Sequence, residues 1–167
     1  MLQRLGRNED AITKYKKALE FHGDHSWALL NIGNVLHSQS KFKESETYYK
    51  KSLDNFILPA ALDGYLISIY SQKDYSRLIS EYDSWQIEID LMDAHLGLNN
   101  PSQGSNQYPE SELVSRLLTM KGVSQLMLGN LEEAESIFES ITNAKIKDEN
   151  VYKYLKESLK ENNSSVR

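Results

Sequence analysis

The sequence predicts an all-α fold: antiparallel helix pairs stacked as an α-α solenoid. Three observations carry this prediction. The phrase "LGRNEDAITKY" at 5–15 returns, scarcely altered, as "LGNLEEAESIF" at 128–138. Between them the chain repeats with a step of 34: Gly6, Ser40 and Asp74 each open a short polar turn, and Ala11, Tyr15, Ala18 and Leu19 step to Ser45, Tyr49, Ser52 and Leu53. A period of this size marks a supersecondary unit that buries its apolar face only by stacking on its neighbours. Within each unit apolar residues recur at i, i+3, i+4 and i+7, and no alternating run bounded by hairpin dipeptides is present.

The elements follow in order. Over 8–21, Ala11, Ile12, Tyr15, Ala18 and Leu19 form one helical face. Asn8 is the expected N-cap, Glu9 and Asp10 suit the first turn, and Gly23 is a stop signal. Over 25–38 the face is Ala28, Leu29, Ile32, Val35 and Leu36, and over 41–54 it is Phe42, Tyr48, Tyr49 and Leu53. Pro59 opens the next helix, where its missing N–H costs nothing, and Leu62, Leu66, Ile69 and Tyr70 continue it. In the third copy the register slips by one, so that Tyr75 matches Phe42, Tyr82 matches Tyr49 and Trp85 matches Ser52. Tyr82, Trp85, Ile89, Met92 and Leu96 keep helical spacing, which extends this second helix to about residue 95. A loop insertion follows at 96–112, "LGLNNPSQGSNQYPESE", rich in Asn, Pro, Ser and Gly.

The expected organisation is one domain: a truncated first repeat (1–24), repeats at 25–58, 59–95 and 113–144, a C-terminal capping helix at 147–162 and a frayed tail at 163–167. In the capping helix Val151, Tyr154, Leu155 and Leu159 would face inward. Met1 falls near the tenth position of a repeat, so most of the first helix of copy one is missing. The chain is then expected to be a piece of a longer solenoid, with burial in an oligomer or partner contact as the alternative.

Small and large residues should interlock. Gly33 and Gly122 sit in first helices, where the absence of a side chain lets the second helix approach; Ala11, Ser45 and Ala134 do the same from the opposite side. Tyr15, Tyr49, Tyr82 and Phe138 then fill the space toward the next pair.

Composition narrows the function classes. Of 167 residues 40% are apolar and 26% charged, which suits a globular chain. The net charge of −5 speaks against nucleic-acid binding, although residues 1–51 carry +3 and the remainder −8. There is no Cys, which excludes disulfides, thiol catalysis and thiolate metal sites. No apolar run reaches the ~20 residues of a membrane span and the start lacks a signal-peptide pattern, so a cytoplasmic location is the expectation. His22, Asp24 and His25 in "EFHGDH" fall at an inter-helix turn without the H-E-x-x-H spacing of zinc sites. Glu81, Asp83, Glu88 and Asp90 read as a wet helical face. Phosphate-binding and nucleophile-elbow motifs are absent. No metal, no cofactor and no enzymatic activity are expected.

The repeat resembles the tetratricopeptide family, whose pattern is W-x2-L-G-x2-Y, A-x3-F and P over 34 residues. "LLNIGNVL" at 29–36 supplies Leu29, Ile32-Gly33 and Leu36 at those positions, followed by Ser45, Tyr49 and Pro59. The fourth copy supplies Gly122, Gly129, Ala134 and Phe138. The third, "GYLISIYSQKDYSRLISEYDSW", lacks the glycines of the pattern. The resemblance covers about 5–85 and 113–142 and implies a right-handed superhelix of the helix pairs and a non-catalytic module that binds proteins or peptides.

The resemblance also implies which first-helix positions line a concave groove. They are Trp27, Leu30, Asn31, Asn34, His37 and Ser38 in copy two, and Ala61, Gly64, Tyr65, Ser68, Ser71 and Gln72 in copy three. In copy four they are Arg116, Thr119, Met120, Val123, Leu126 and Met127. The clamp by which part of the family holds a C-terminal carboxylate is incomplete, because Leu30, Ala61 and Tyr65 stand where Lys or polar partners are needed. The expected site for a partner segment is therefore Trp27, Leu30, Asn31, Asn34, His37, Tyr65, Ser68, Gln72, Arg116 and Thr119, in a scaffold or adaptor. The alternative is a structural subunit that self-associates through Ala11, Ile12 and Tyr15 of the open N-terminal repeat.

Overall fold

The computed structural model describes residues 2–21, 25–91 and 109–143. Among these every regular element is helical: α1 (Leu2–Phe21), α2 (Ser26–Ser38), α3 (Phe42–Asn55), α4 (Pro59–Ser71), α5 (Tyr75–Ser84), α6 (86–91), α7 (Pro109–Met127) and α8 (Leu131–Asn143). They fall into two compact units, Met1–Asp74 and Tyr75–Arg167. His22, Asp24, most of the expected insertion, the capping helix and the tail lie outside the described residues.

In the first unit α2 and α3 pack antiparallel. Ser52 Oγ donates to Ser26 O at one end of the pair (2.9 Å) and Tyr49 Oη donates to Asn34 Oδ1 further along (2.8 Å). α4 packs on the other side of α3, also antiparallel, through Gln72 Nε2 donating to Glu46 Oε2 (2.9 Å) and through Ser45 and Ser68. These two hydroxyls are fully buried and 3.0 Å apart. One proton lies between them, and the other goes to a helix carbonyl, Phe42 O or Gly64 O. A buried hydroxyl satisfied this way adds little cost, and its small size keeps the helices close. Around it Leu29, Ile32, Leu36, Leu53, Leu62, Leu66 and Ile69 are buried.

Tyr49 is where the small-large interlock is tightest. A Cβ on Gly33 would lie 2.7 Å from ring carbon Cδ1, and a Cβ on Gly64 would lie 2.5 Å from Cε1 and Cζ. The ring therefore occupies space left by two glycines on two different helices. The sequence predicts a close helix approach at Gly33 but directs Tyr49 toward the next pair; the ring in fact sits against Gly33 as well as Gly64, a residue expected in the groove and instead buried. In the second unit Gly122 makes the same room for Phe138, with a Cβ that would lie 2.5 Å from Cε1. There Leu126, Ala134 and Phe138 form a core with Val123, Leu131 and Ile141 against it, so α7 and α8 are antiparallel too. α5 is fastened to α7 by Lys121, whose Nζ is 2.7 Å from Asp83 Oδ1 and 4.5 Å from the centre of the Tyr82 ring.

The turns explain the repeat. Ser40 N–H donates to His37 O (2.8 Å) and Lys41 N–H to Leu36 O (3.0 Å), while Gly129 N–H donates to Leu126 O (3.0 Å) and Asn130 N–H to Gln125 O (2.9 Å). Both are Schellman motifs, which satisfy the last carbonyls of a helix and need one residue at positive φ. That residue is Ser40 (φ 61) in the first case and Gly129 (φ 83) in the second. In the α4–α5 turn it is Lys73 (φ 60), not Asp74.

This places the register slip. Ser26 to Pro59, Ser40 to Lys73 and Phe42 to Tyr75 are each 33 apart, so copy three is offset from its first residue onward. The step of 34 that assigned Ala61, Tyr65, Ser68 and Gln72 to the groove is one residue too long; with a step of 33, Gly64 becomes the counterpart of Asn31 and is buried. Stepping by 33 instead puts Leu66, fully buried, at the position of Gly33.

Other expectations are corrected at element ends. α1 runs unbroken through Gly6 and Asn8, so Gly6 makes no turn and Asn8 is no N-cap; a single helical glycine costs only ~1 kcal/mol, which its helix-forming neighbours offset. The long second helix of copy three is interrupted by a turn at Trp85 before α6. α7 begins at Pro109, inside the expected insertion, because proline suits the first helical position as it does at Pro59.

Candidate functional site

The first helices of the first unit present an unusual surface. On α2, Trp27, Asn31 and Asn34 lie at i, i+4 and i+7 and form one stripe. Trp27 is 58% exposed, Asn34 is exposed and Asn31 half-buried. Immediately before it, His25 caps the helix, its Nδ1 accepting from Ala28 N–H (3.3 Å). Helix α4 touches α2. Stepped by 33, the counterparts of Trp27, Leu30, Asn34 and His37 are Ala60, Asp63, Ile67 and Tyr70, of which Ala60 is exposed and the other three half-buried.

Asn34 is oriented from beneath. Its Oδ1 accepts the Tyr49 hydroxyl, so the two Nδ2 hydrogens are presented at the exposed end of the amide. Copy four shows why the pair goes together. Val123 stands where Asn34 stands relative to the preceding glycine, and Phe138 where Tyr49 stands; Val123 packs on the Phe138 cluster. The hydroxyl and its amide partner are both present in copy two and both absent in copy four.

Charge is arranged around the same atoms. Burial pushes the Tyr49 hydroxyl up to about 12, with the nearby Asp63 carboxylate adding to the shift. His37 is held below its ordinary value by burial, against an opposing pull from Asp63. Its ring meets Phe42 edge-on, with centroids 5.1 Å apart, and Nε2 is buried with no hydrogen-bond partner among the described residues. Asp63 thus sits within electrostatic reach of one residue on α2 and one on α3.

The expected site residues separate into two groups. Leu30 and Tyr65 are each 3% exposed and Ser68 fully buried, so they pack the core and offer no surface to a partner. Lys50 Nζ lies over the Tyr65 ring at 5.4 Å, and Ser68 is committed to the buried hydroxyl pair. Gln72 is half-buried and donates to Glu46 and to Ser68 O. Trp27, Asn31, Asn34 and His37 remain together on α2. In the second unit Arg116 is exposed and Thr119 half-buried, its hydroxyl donating to Ser115 O (2.7 Å). Met120 and Leu126 are core. Ala11, Ile12 and Tyr15 lie half-buried along α1, which packs on α2. Sequence reasoning missed Ala60, Asp63, Ile67 and Tyr70, and counting from Pro59 instead of from Gly6 would have found them.

Residues 1–57 match the family model of the tetratricopeptide repeat. Over this stretch, about a third of the chain, the sequence is similar to tetratricopeptide repeats. The match spans α1, α2 and α3, which include the Gly33–Tyr49 packing. No curated protein matches the chain. Tetratricopeptide repeats generally mediate contacts between proteins and are typically non-catalytic. Among the described residues no helix is long and apolar enough to cross a membrane, and no group of three or more His, Asp or Glu could hold a metal ion.

Proposed function

We propose that the chain is a non-catalytic scaffold or adaptor that receives a segment of another protein along α2 and α4. The observation that carries this is the Trp27, Asn31 and Asn34 stripe. An indole 58% exposed is a large apolar area for a folded surface, and burying one is a common source of interface energy. Beside it, Asn34 presents amide donors suited to a partner's backbone carbonyls, pre-oriented by Tyr49. The corrected counterparts on α4 extend the surface with Ala60, Asp63, Ile67 and Tyr70. In the second unit, taken by itself, Arg116 and Thr119 on α7 are the proposed contact residues.

Pull-down with the wild type against a Trp27→Ala/Asn34→Ala variant tests this. Partner recovery should fall at least tenfold while circular dichroism is unchanged; equal recovery refutes the assignment.

A second reading rests on a different observation. Ala11, Ile12 and Tyr15 stay half-buried on α1, an apolar stripe that its packing on α2 does not fully cover. In this reading the chain assembles with itself or a larger complex through that stripe. Light scattering of Ile12→Glu decides it: an oligomer that persists in this variant excludes stacking through α1.

A further inference from the structure

Helices α2 and α4 together contain a single Asp, Glu, Lys or Arg, and it is Asp63. The contrast with their neighbours is sharp. α1 carries Lys14, Lys16 and Lys17, and α3 carries Lys43, Lys50 and Lys51, each among acidic residues. In the first unit the helices α2 and α4 thus contribute one charged side chain, while cations and anions alternate along α1 and α3. His37 adds no charge at neutral pH, because burial keeps it below its ordinary value.

Asp63 also occupies a groove position. It stands 33 residues after Leu30, on the stripe that continues through Ile67 and Tyr70, and it is half-buried where Leu30 is buried. It adjoins Gly64, which brings the α4 backbone against the Tyr49 ring and so against the residue that holds Asn34. A carboxylate at the edge of a largely apolar surface is less screened than one in open water, and it attracts an opposite charge more strongly.

We propose that the segment received by α2 and α4 places an arginine or lysine against Asp63. This rests on the groove assignment above and adds the chemistry of the partner. The same carboxylate repels a C-terminal carboxylate, which agrees with the incomplete clamp noted in the sequence. Trp27 and Asn34 set affinity and backbone direction; Asp63 sets which residue is accepted at its position, since charge complementarity acts on choice of partner more than on strength.

The test uses the full chain and a phage-displayed library of random dodecapeptides. Recovered peptides are synthesised with a fluorescent label, and their affinities measured by anisotropy for wild type, Trp27→Ala/Asn34→Ala, Asp63→Asn and Asp63→Lys. Peptides sensitive to the Trp27/Asn34 pair should share one basic position. Replacing that residue with Gln should weaken binding to wild type about fivefold, the scale of a partly exposed charge pair, and should change binding to Asp63→Asn hardly at all. Asp63→Lys should prefer the same peptides with Glu there. The Gln change lies in the peptide, so it reads the pair even if an Asp63 variant loses stability. Groove-dependent peptides without a common basic position overturn the Asp63 proposal and leave the groove assignment standing. So does a basic residue whose loss costs as much against Asp63→Asn as against wild type. Recovery of no peptide, or only of peptides indifferent to the Trp27/Asn34 pair, overturns both.

Discussion

Gly64 has no side chain where the Tyr49 ring needs space: a Cβ there would come within 2.5 Å of Cε1 and Cζ. Gly33 faces the same ring from α2, where a Cβ would lie 2.7 Å from Cδ1. Pushed from either side, the ring meets a second helix. This explains how one tyrosine joins a helix pair to the first helix of the next.

Gly33→Ala and Gly64→Ala should each destabilise the chain by about 1–2 kcal/mol, because overpacking exceeds the helix-propensity gain of roughly 0.5–1 kcal/mol. In a Tyr49→Ala background the same substitutions should become neutral or stabilising. Urea titrations of the two four-member cycles measure this; costs that stay the same without the ring would disprove the wedge.

The three turns differ in their positive-φ residue. Ser40 and Lys73 sit at φ 61 and 60, where Gly129 sits at 83. Ser40→Gly and Lys73→Gly should therefore raise stability by up to about 1 kcal/mol each, and Gly129→Ala should lower it by about 1 kcal/mol. No atom lies within 4 Å of a Cβ on Gly129, so that loss would come from backbone strain alone. Thermal melts of the three variants suffice to check the signs.

Burial lowers the proton affinity of folded His37, so the unfolded chain takes up its proton first. Stability from this group is full above the ordinary histidine value of about 6.5 and is lost as pH falls through that value toward the folded one. His37→Gln should flatten the acid limb of stability between about pH 7.5 and 5.5. Asp63→Asn removes the opposing pull and should carry the loss to lower pH. NMR titration of the His37 ring reads the shift directly.

Tyr49 gives the opposite sign. Its hydroxyl is raised to about 12, so between about pH 10 and that value the unfolded chain loses its proton first and stability falls with rising pH. Tyr49→Phe should abolish this alkaline loss. At neutral pH it should cost only about 0.5–1 kcal/mol, since exposed Asn34 can turn to water once the hydroxyl is gone. A loss above ~2 kcal/mol would mean the ring itself has moved.

The sequence by itself determined the repeat, the helical character of its units and the recurrence of small residues at Gly33 and Gly122 and large ones at Tyr49 and Phe138. These follow from local periodicity and from residue sizes that recur at fixed spacing; which glycine faces which ring came from the packing. Pro59 and the polar turn at Ser40 were legible as well, because capping chemistry is local, whereas the turns expected at Gly6 and Asp74 were not found at those residues. Which face of α4 looks outward was not legible. A one-residue offset rotates a helix by about 100°, enough to exchange Gly64 for Asp63 as the counterpart of Leu30 and Ser68 for Ile67 as the counterpart of Asn34. Only packing decided that offset, through the seat of the Tyr49 ring against Gly64 and the hydroxyl contact of Ser45 with Ser68. The same packing buried Leu30 and left Trp27 in solvent, three residues apart on one helix, because burial depends on the neighbouring helices and not on the residue's own hydrophobicity.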